Sequence, residues 1–189
     1  IGAENPEDYG YYFWWGDTIG YKRENNKWVA SDGSSSDFSF EESNIPTKSK
    51  TTSKLKSEGW ITSNGVLAPE HDAARAHWGS NWRMPTDSEL DALCDNCTWT
   101  WTTTNGVKGY IVSGKGVYSG ASIFLPAAGY GNRTSLGDAG SYGYYWSPVR
   151  HSGYNCDSSF LYFYSSDHYR AISFHLSYGH PVRPVSDVH

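Results

Sequence analysis

The stretch Trp82–Val112, WRMPTDSELDALCDNCTWTWTTTNGVKGYIV, changes its period once, and that change decides the fold class. After Arg83-Met84-Pro85-Thr86, the residues from Asp87 to about Asn96 read as a helix. Thr86 stands as N-cap with Glu89 three residues on, a capping box, and Leu90 and Leu93 fall on one face. From Thr98 the pattern alternates every second residue. Asn105-Gly106 is a strong hairpin turn, and Gly109–Val112 (GYIV) returns as the partner strand. The helix also carries Asp87, Glu89, Asp91 and Asp95. A catalytic acid–base pair has to converge in a cleft; these acids fall on the exposed side of an amphipathic helix, where solvation accounts for them.

On the N-terminal side, Pro69–Trp78 (PEHDAARAHW) predicts another helix. Pro69 suits a first turn, Glu70 and Asp72 sit near the positive end of the dipole, and Gly79 stops it. His71 and His77 are six residues apart, off a common helical face, so a structural role is expected of both. Tyr9–Gly20 (YGYYFWWGDTIG) is an aromatic block expected to form a strand. Residues 21–57 are polar and without period and read as a long surface insertion, pinned to the body by Trp28, Phe38 and Phe40. The lysines at 48, 50, 54 and 56 within it read as a solvated run.

On the C-terminal side, Ser122–Pro126 (SIFLP) is expected to be a buried strand. Three further strands are expected at Tyr144–Ser147, Ser159–Tyr164 and Arg170–Phe174, with Pro181–Val185 closing the sheet. Helices first and strands afterwards indicate an α+β fold. The 189 residues are expected to make a single domain, 1–189, large enough to bury a useful core.

Composition narrows the function. A net charge of −5 argues against nucleic acid as a partner, which requires a basic stripe. No apolar run approaches the ~20 residues of a membrane span, so no direct membrane insertion is expected. The chain opens on Ile1-Gly2-Ala3 without an initiator Met and reads as a piece of a longer protein. Cys94 and Cys97 form a lone CxxC and Cys156 stands apart. No further ligands complete a zinc site and no βαβ context supports a redox site, so neither a metal nor a cofactor is expected. No GxSxG, HExxH, phosphate-binding loop or dinucleotide fingerprint occurs, and nothing singles out a Ser–His–Asp triad, so no catalytic residue is assigned. Residues 141–185 mix Tyr, His, Ser, Asp and Asn with short apolar residues, the composition of a recognition surface.

Several blocks in fixed order, PEDYGYYFWWGDT, WRMPTDSELDAL, CTWTWTTTNGVKGYIV, SIFLPAAGYGN, GYYWS and YGHPVRPV, resemble the Fibrobacter succinogenes major paralogous domain of bacterial surface proteins. The resemblance runs almost end to end and is poorest in the polar insertion. It implies a C-type-lectin-like fold, with two helices flanking short antiparallel β-sheets and with neighbouring termini. The ending also resembles the variable proteins of diversity-generating retroelements. In those proteins template adenines are randomised, and the Asn codons concerned cannot yield Lys, Glu, Gln, Met or Trp. These five are absent from Ser147 onward.

The resemblance divides the ending in two. Tyr145, Trp146, Leu161, Phe163, Gly179, Val182, Arg183 and Pro184 are expected to be scaffold. The interleaved residues Arg150, His151, Tyr154, Asn155, Asp157, Phe160, Tyr162, His168, Tyr169, Ser173, His175, Ser177 and His180 are the expected ligand contacts. The expected function is a non-catalytic adhesin or receptor-binding domain at the bacterial surface or a pilus tip. Its expected partner is a host or bacterial surface protein or glycan. Calcium-dependent sugar binding is not expected, because the Glu-Pro-Asn and Gln-Pro-Asp triplets of C-type lectins are missing. Two other classes compete: an oxidoreductase related to the formylglycine-generating enzymes, and a structural subunit of a pilus or phage tail.

Overall fold

The structure, a computed structural model, describes residues 1–47, 49–151, 158–173 and 176–187, Ser173 by its backbone alone. In chain order the elements are β1 (Tyr12–Phe13), β2 (Tyr21–Glu24), β3 (Lys27–Ala30), α1 (Thr52–Ser57), α2 (Ala73–Trp78), β4 (Trp82–Arg83) and α3 (Asp87–Asn96). Then come β5 (Thr98–Thr104), β6 (Val107–Ser113), β7 (Ser122–Pro126), β8 (Tyr130–Asn132), β9 (Ser135–Gly137), β10 (Tyr142–Arg150), β11 (Ser158–Tyr164), β12 (Asp167–Ser173), β13 (His180–Pro181) and β14 (Val185–Ser186). The strands pair antiparallel in small sheets ordered β13-β1-β2-β3, β10-β11-β12, β5-β6-β7, β14-β4 and β8-β9. The fold is therefore mixed α+β, as the change of period in Trp82–Val112 implies.

That stretch forms as its sequence predicts. The Thr86 hydroxyl accepts from the Glu89 backbone N–H, and the Glu89 carboxylate accepts from the Thr86 N–H at 2.8 Å, closing the capping box. Asn105 and Gly106 have φ of +49° and +85°, the paired left-handed conformation of a type I′ hairpin turn.

Three expectations upstream are corrected. The helix expected over Pro69–Trp78 is split into a single 3₁₀ turn, Pro69–His71, followed by α2. Asp72 is the cause: it is a buried N-cap, accepting from the N–H of Ala74 and Arg75 and, across the fold, from that of Met84. The aromatic block Tyr9–Gly20 contributes only the two residues of β1 as strand, and Trp14 and Trp15 run on into the core. Residues 21–57 are more than a surface insertion. Tyr21–Ala30 is a hairpin turned at Asn25 and Asn26, both at positive φ, and its first strand extends the sheet of β1. Its polar residues point outward while Trp28 is fully buried. With polar residues on one face and few apolar ones on the other, the composition of the segment hides the strand pair.

Phe40 holds the rest of that segment down. Its ring sits edge-on to Trp14, Tyr21, Trp28 and Phe38, with centroids 5.1–5.7 Å away. Its floor is a bridge between Gly131 and Gly179, which exchange backbone hydrogen bonds of 2.8 and 2.9 Å. Both glycines leave the room that the ring fills.

Two hydrophobic clusters make up the core. One gathers Tyr12, Trp14, Trp15, Trp28, Phe40, Trp146 and Phe160, with aliphatic residues from α1 and the following turn. The other, under α3, gathers Leu90, Tyr110, Val112, Leu125, Tyr145, Leu161 and Phe163. The sheet β10-β11-β12 separates them. The scaffold residues Tyr145, Trp146, Leu161, Phe163, Gly179 and Val182 are all buried, as expected, while Arg183 and Pro184 are half-buried. The Ile1 amino group donates to the Val182 carbonyl at 3.2 Å, so the beginning of the chain lies against its last tenth.

A Gly179→Ala change places a methyl group into the Phe40 ring. Overpacking of this kind costs roughly 1–3 kcal/mol. The expected result is a lower urea midpoint with an unchanged m-value, and an unchanged midpoint would show that the ring has room to move.

Candidate functional site

Side chains along β10, β11 and β12 alternate between the two faces of their sheet. The register pairs Tyr144 with Tyr162, Tyr142 with Tyr164, and Tyr162 with Tyr169, so these residues share one face with Trp146 and Phe160. At its inner end that face is core: Trp146 is fully buried and its indole N–H donates to the Phe13 carbonyl at 2.8 Å. At its outer end the same face emerges as a ladder of tyrosines. Ring centroids are 5.2 Å apart for Tyr144–Tyr162, 5.3 Å for Tyr162–Tyr169, 5.9 Å for Tyr142–Tyr162 and 5.8 Å for Tyr142–Tyr164. These separations are within the favourable range for aromatic pairs. Tyr130 and Tyr178 continue the surface beyond Tyr144. Most of the rings are half-buried, and Tyr169, the outermost, is 44% exposed.

Two hydroxyls on this face, those of Tyr162 and Tyr144, are held protonated. Burial, then Tyr169 and Tyr142, push the Tyr162 phenol up to about 12. Burial and the Asp138 carboxylate raise that of Tyr144 further, and the Tyr144 hydroxyl donates to Asp138 Oδ2 at 3.2 Å. At neutral pH the ladder thus presents flat apolar rings tipped with donors that also accept. At its outer end lies a cleft of about 400 Å³ lined by Trp101, Lys108, Ser141, Tyr142, Tyr164 and Ser165.

The expected contacts divide around this face. Tyr162 and Tyr169 lie on it and are accessible. Phe160 lies on it but is buried between the rings of Tyr144, Trp146 and His180, because its strand is still inside the core at that point. His180, also expected at the surface, is 1% exposed and stacked on Trp146 at 3.9 Å. Arg150 is buried as well, its guanidinium 5.7 Å from the Trp15 ring centre and its Nη2 donating to the Lys50 carbonyl. These three are corrections: each is occupied by the core. His168 points to the other face, where it stacks on Trp99 at 4.3 Å. Ser177 is half-buried and its carbonyl accepts from the Trp14 indole. Tyr154, Asn155, Asp157 and His175, with Cys156 and Phe174, lie outside the described residues, as does the Ser173 side chain.

Tyr142, Tyr144 and Tyr164 were not among the expected contacts. Their signal is present in the sequence as Y-x-Y at 142–144 and F-x-Y-x-Y at 160–164, period-two runs ending outside the core.

The acids of α3 need the second correction. Asp87, at the first turn of the helix, is not solvated but bridges three strands. Ser147 donates to its Oδ1 at 2.6 Å and Ser159 to its Oδ2 at 2.9 Å, and Arg170 lies 3.3 Å away. Arg170 also donates to Asp91 at 2.9 Å. Glu89 is held to about 2 by its hydrogen bonds with Arg83, which binds both of its oxygens. Asp95 is exposed, and Asp91 and Glu89 keep 46% and 41% of their side chains exposed, so the expected solvation fails chiefly for Asp87. His151 joins the network through Nε2, 3.2 Å from Asp87 and 2.5 Å from Ser159. Ser, His and Asp therefore meet, but not as a relay. One imidazole nitrogen faces both partners, whereas a triad needs the carboxylate on the far nitrogen, and Ser159 is fully buried. The arrangement ties α3 to the strands.

Cys94 and Cys97 are free thiols, and burial, then Asp95 and Asp91, push Cys94 up to about 12. No group of three His, Cys, Asp or Glu among the described residues could hold a metal ion. No helix among them is long and apolar enough to cross a membrane. Comparison of the chain with protein-family models, with curated proteins and with solved structures gives no match.

His180 makes the stability of the domain acid-sensitive. Burial lowers its folded-state value to about 3 from the ordinary 6.5, and Nδ1 has no hydrogen-bond partner among the described residues. A base whose folded value is depressed favours folding above pH 6.5 and loses that contribution as pH falls toward 3. The loss amounts to about 3–5 kcal/mol. Denaturant titrations at pH 7 and pH 4 should show a fall in wild-type stability that His180→Phe reduces. Equal falls in both proteins would remove His180 as the cause.

Proposed function

We propose that the domain is a non-catalytic ligand-binding module, an adhesin or receptor-binding domain of a bacterial surface protein. It holds a protein or glycan against the tyrosine face of β10-β11-β12. The observation that carries this reading is the ladder itself: five tyrosines, Tyr142, Tyr144, Tyr162, Tyr164 and Tyr169, on one face of one sheet. Tyrosine offers contact area with two rotatable bonds and a polar tip, so little entropy is lost on binding. A monomer that needed these rings only for packing would bury them as it buries Trp146.

The reading includes a C-type-lectin-like fold and membership of the paralogous surface-domain family that the sequence blocks resemble. The small antiparallel sheets, the contact between Ile1 and Val182, and the accessible rings of Tyr162 and Tyr169 beside a buried scaffold are what favour it. Placement at the cell surface or a pilus tip follows from that resemblance, with a phage particle as the other setting.

A glycan and protein array probed with the wild-type domain and with the Tyr142→Ala, Tyr169→Ala double variant tests the proposal. Binding should fall at least about tenfold, equivalent to ~1.4 kcal/mol, while the melting temperature moves by a few degrees at most. Array binding that survives the double change would sink the assignment of the face.

A second reading, a structural subunit, is favoured by one surface. Val117 and Tyr118 are 92% and 71% exposed beside a cavity of about 700 Å³ between the end of α3 and strands β6 and β7. Apolar patches of this kind serve partners. Sedimentation of the wild type against Val117→Asp, Tyr118→Asp separates the readings. A wild type that self-associates and a variant that does not would support the subunit, and a monomer in both cases would not.

A further inference from the structure

The sheet that carries the tyrosines ends at β12. In the order β10-β11-β12 this strand pairs with β11 over all seven of its residues, from Asp167 opposite Tyr164 to Ser173 opposite Ser158. On its other side no strand pairs with it among the described residues. No backbone hydrogen bond from outside the β11–β12 pair reaches it there. A seven-residue strand of this kind leaves every second N–H and C=O directed outward, a template for another chain.

Natural edges are guarded by Lys or Pro, by bulges, or by a covering segment. The outer side of β10 is bridged at Gly143 by Gly129 and at Val149 by Val66, and that of β3 is bridged at Trp28 by Phe38. The outer strand β5 is mostly threonine. β12 is bridged by no strand or loop on its outer side among the described residues. It contains neither Lys nor Pro and runs without a bulge. The one edge device it carries is the inward turn of Arg170 onto Asp91 and Asp87, which leaves the outward backbone groups uncovered. What it presents is Tyr169 on the ladder face and Ile172 on the opposite face, 44% and 43% exposed.

We infer that β12 is a docking edge, and that the partner held at the tyrosine face is a polypeptide that adds to this sheet as an extended fourth strand. Main-chain hydrogen bonds to the outward groups of β12 supply affinity without regard to sequence. Side chains of the added strand on one face lie against Tyr169 and Tyr162 and supply selectivity. The partner is then a protein segment rather than a glycan, since a saccharide has no alternating donors and acceptors at strand spacing. A second copy of this chain is a poorer occupant. Antiparallel pairing of β12 with itself centres Arg170 on Arg170, and like charges directly opposite are unfavourable.

The inference rests on the tyrosine face being a binding surface, and the two are separable by position. The probe is a random twelve-residue peptide library displayed on phage, selected on the immobilised domain, with a glycan array run beside it. Selected peptides are then resynthesised with single backbone N-methyl groups. Strand addition predicts losses of tenfold or more at alternate positions and little change at those between. Ile172→Lys, a guard placed off the tyrosine face, should weaken the same peptides at least tenfold, and Tyr142→Ala should weaken them less. N-methyl effects without a period of two, or indifference to Ile172→Lys, overturn strand addition even where Tyr169→Ala abolishes binding. Glycan hits that depend on the tyrosines, with no peptide selected, would leave the face standing and remove the edge. Sedimentation of a β12-dependent dimer would replace the foreign strand with a second copy.

Discussion

Tyr145 and Trp146 are neighbours in sequence and belong to different cores. Because successive side chains of a strand point to opposite faces, β10 and its partner β11 deliver Trp146 and Phe160 to the aromatic cluster and Tyr145, Leu161 and Phe163 to the cluster under α3. A one-residue slip in their pairing would exchange the two sets and break both clusters at once. The rest of the structure is arranged to keep that register. The Trp146 indole is bonded to the strand β1, and the Asp87 carboxylate is bonded to Ser147 on β10 and Ser159 on β11. The position where the chain is least free to change is therefore the sheet that carries the tyrosine ladder.

How much of this could be read from the residues depends on whether the deciding interaction is local. The capping box of α3, its length and the Asn105-Gly106 turn are settled within a few residues, and they form as written. So does the burial of Trp146, Leu161 and Phe163, which follows from alternation. The helix over Pro69–Trp78 fails because Asp72 has a distant partner, the Met84 N–H, that a local reading does not contain. The hairpin Tyr21–Ala30 is hidden because its inward side rests on three residues, Tyr21, Trp28 and Ala30, too few to outweigh the polar composition around them.

The candidate site divides in the same way. Tyr162 and Tyr169 are legible as accessible aromatic residues of the C-terminal stretch. Phe160 and His180 have the same composition signal, yet the strand is still within the core where they occur, and depth along a sheet is invisible to composition. Tyr142, Tyr144 and Tyr164 illustrate the opposite error. Their alternation assigns them to a face, but sequence does not say where a face leaves the core. The acids of α3 are misread for a third reason. Helical periodicity gives the direction of Asp87 relative to its own axis, and it says nothing of Ser147, Ser159 and Arg170 waiting on that side.

The spacing of the tyrosine rings sets how this surface can change over generations. Rungs about 5–6 Å apart share contacts, and residues in contact do not contribute additively. A substitution at Tyr162 is felt by Tyr142, Tyr144 and Tyr169, so the effect of each new side chain is epistatic on its neighbours along the ladder. Across the sheet the situation differs, since Leu161 and Phe163 are turned to the opposite core. Changes at the outer rungs Tyr142, Tyr164 and Tyr169 are therefore correlated with one another and leave the cluster under α3 as it is, whereas Tyr144 and Tyr162 also pack on the aromatic core. Selection acting on such a domain samples combinations of rungs, not single positions.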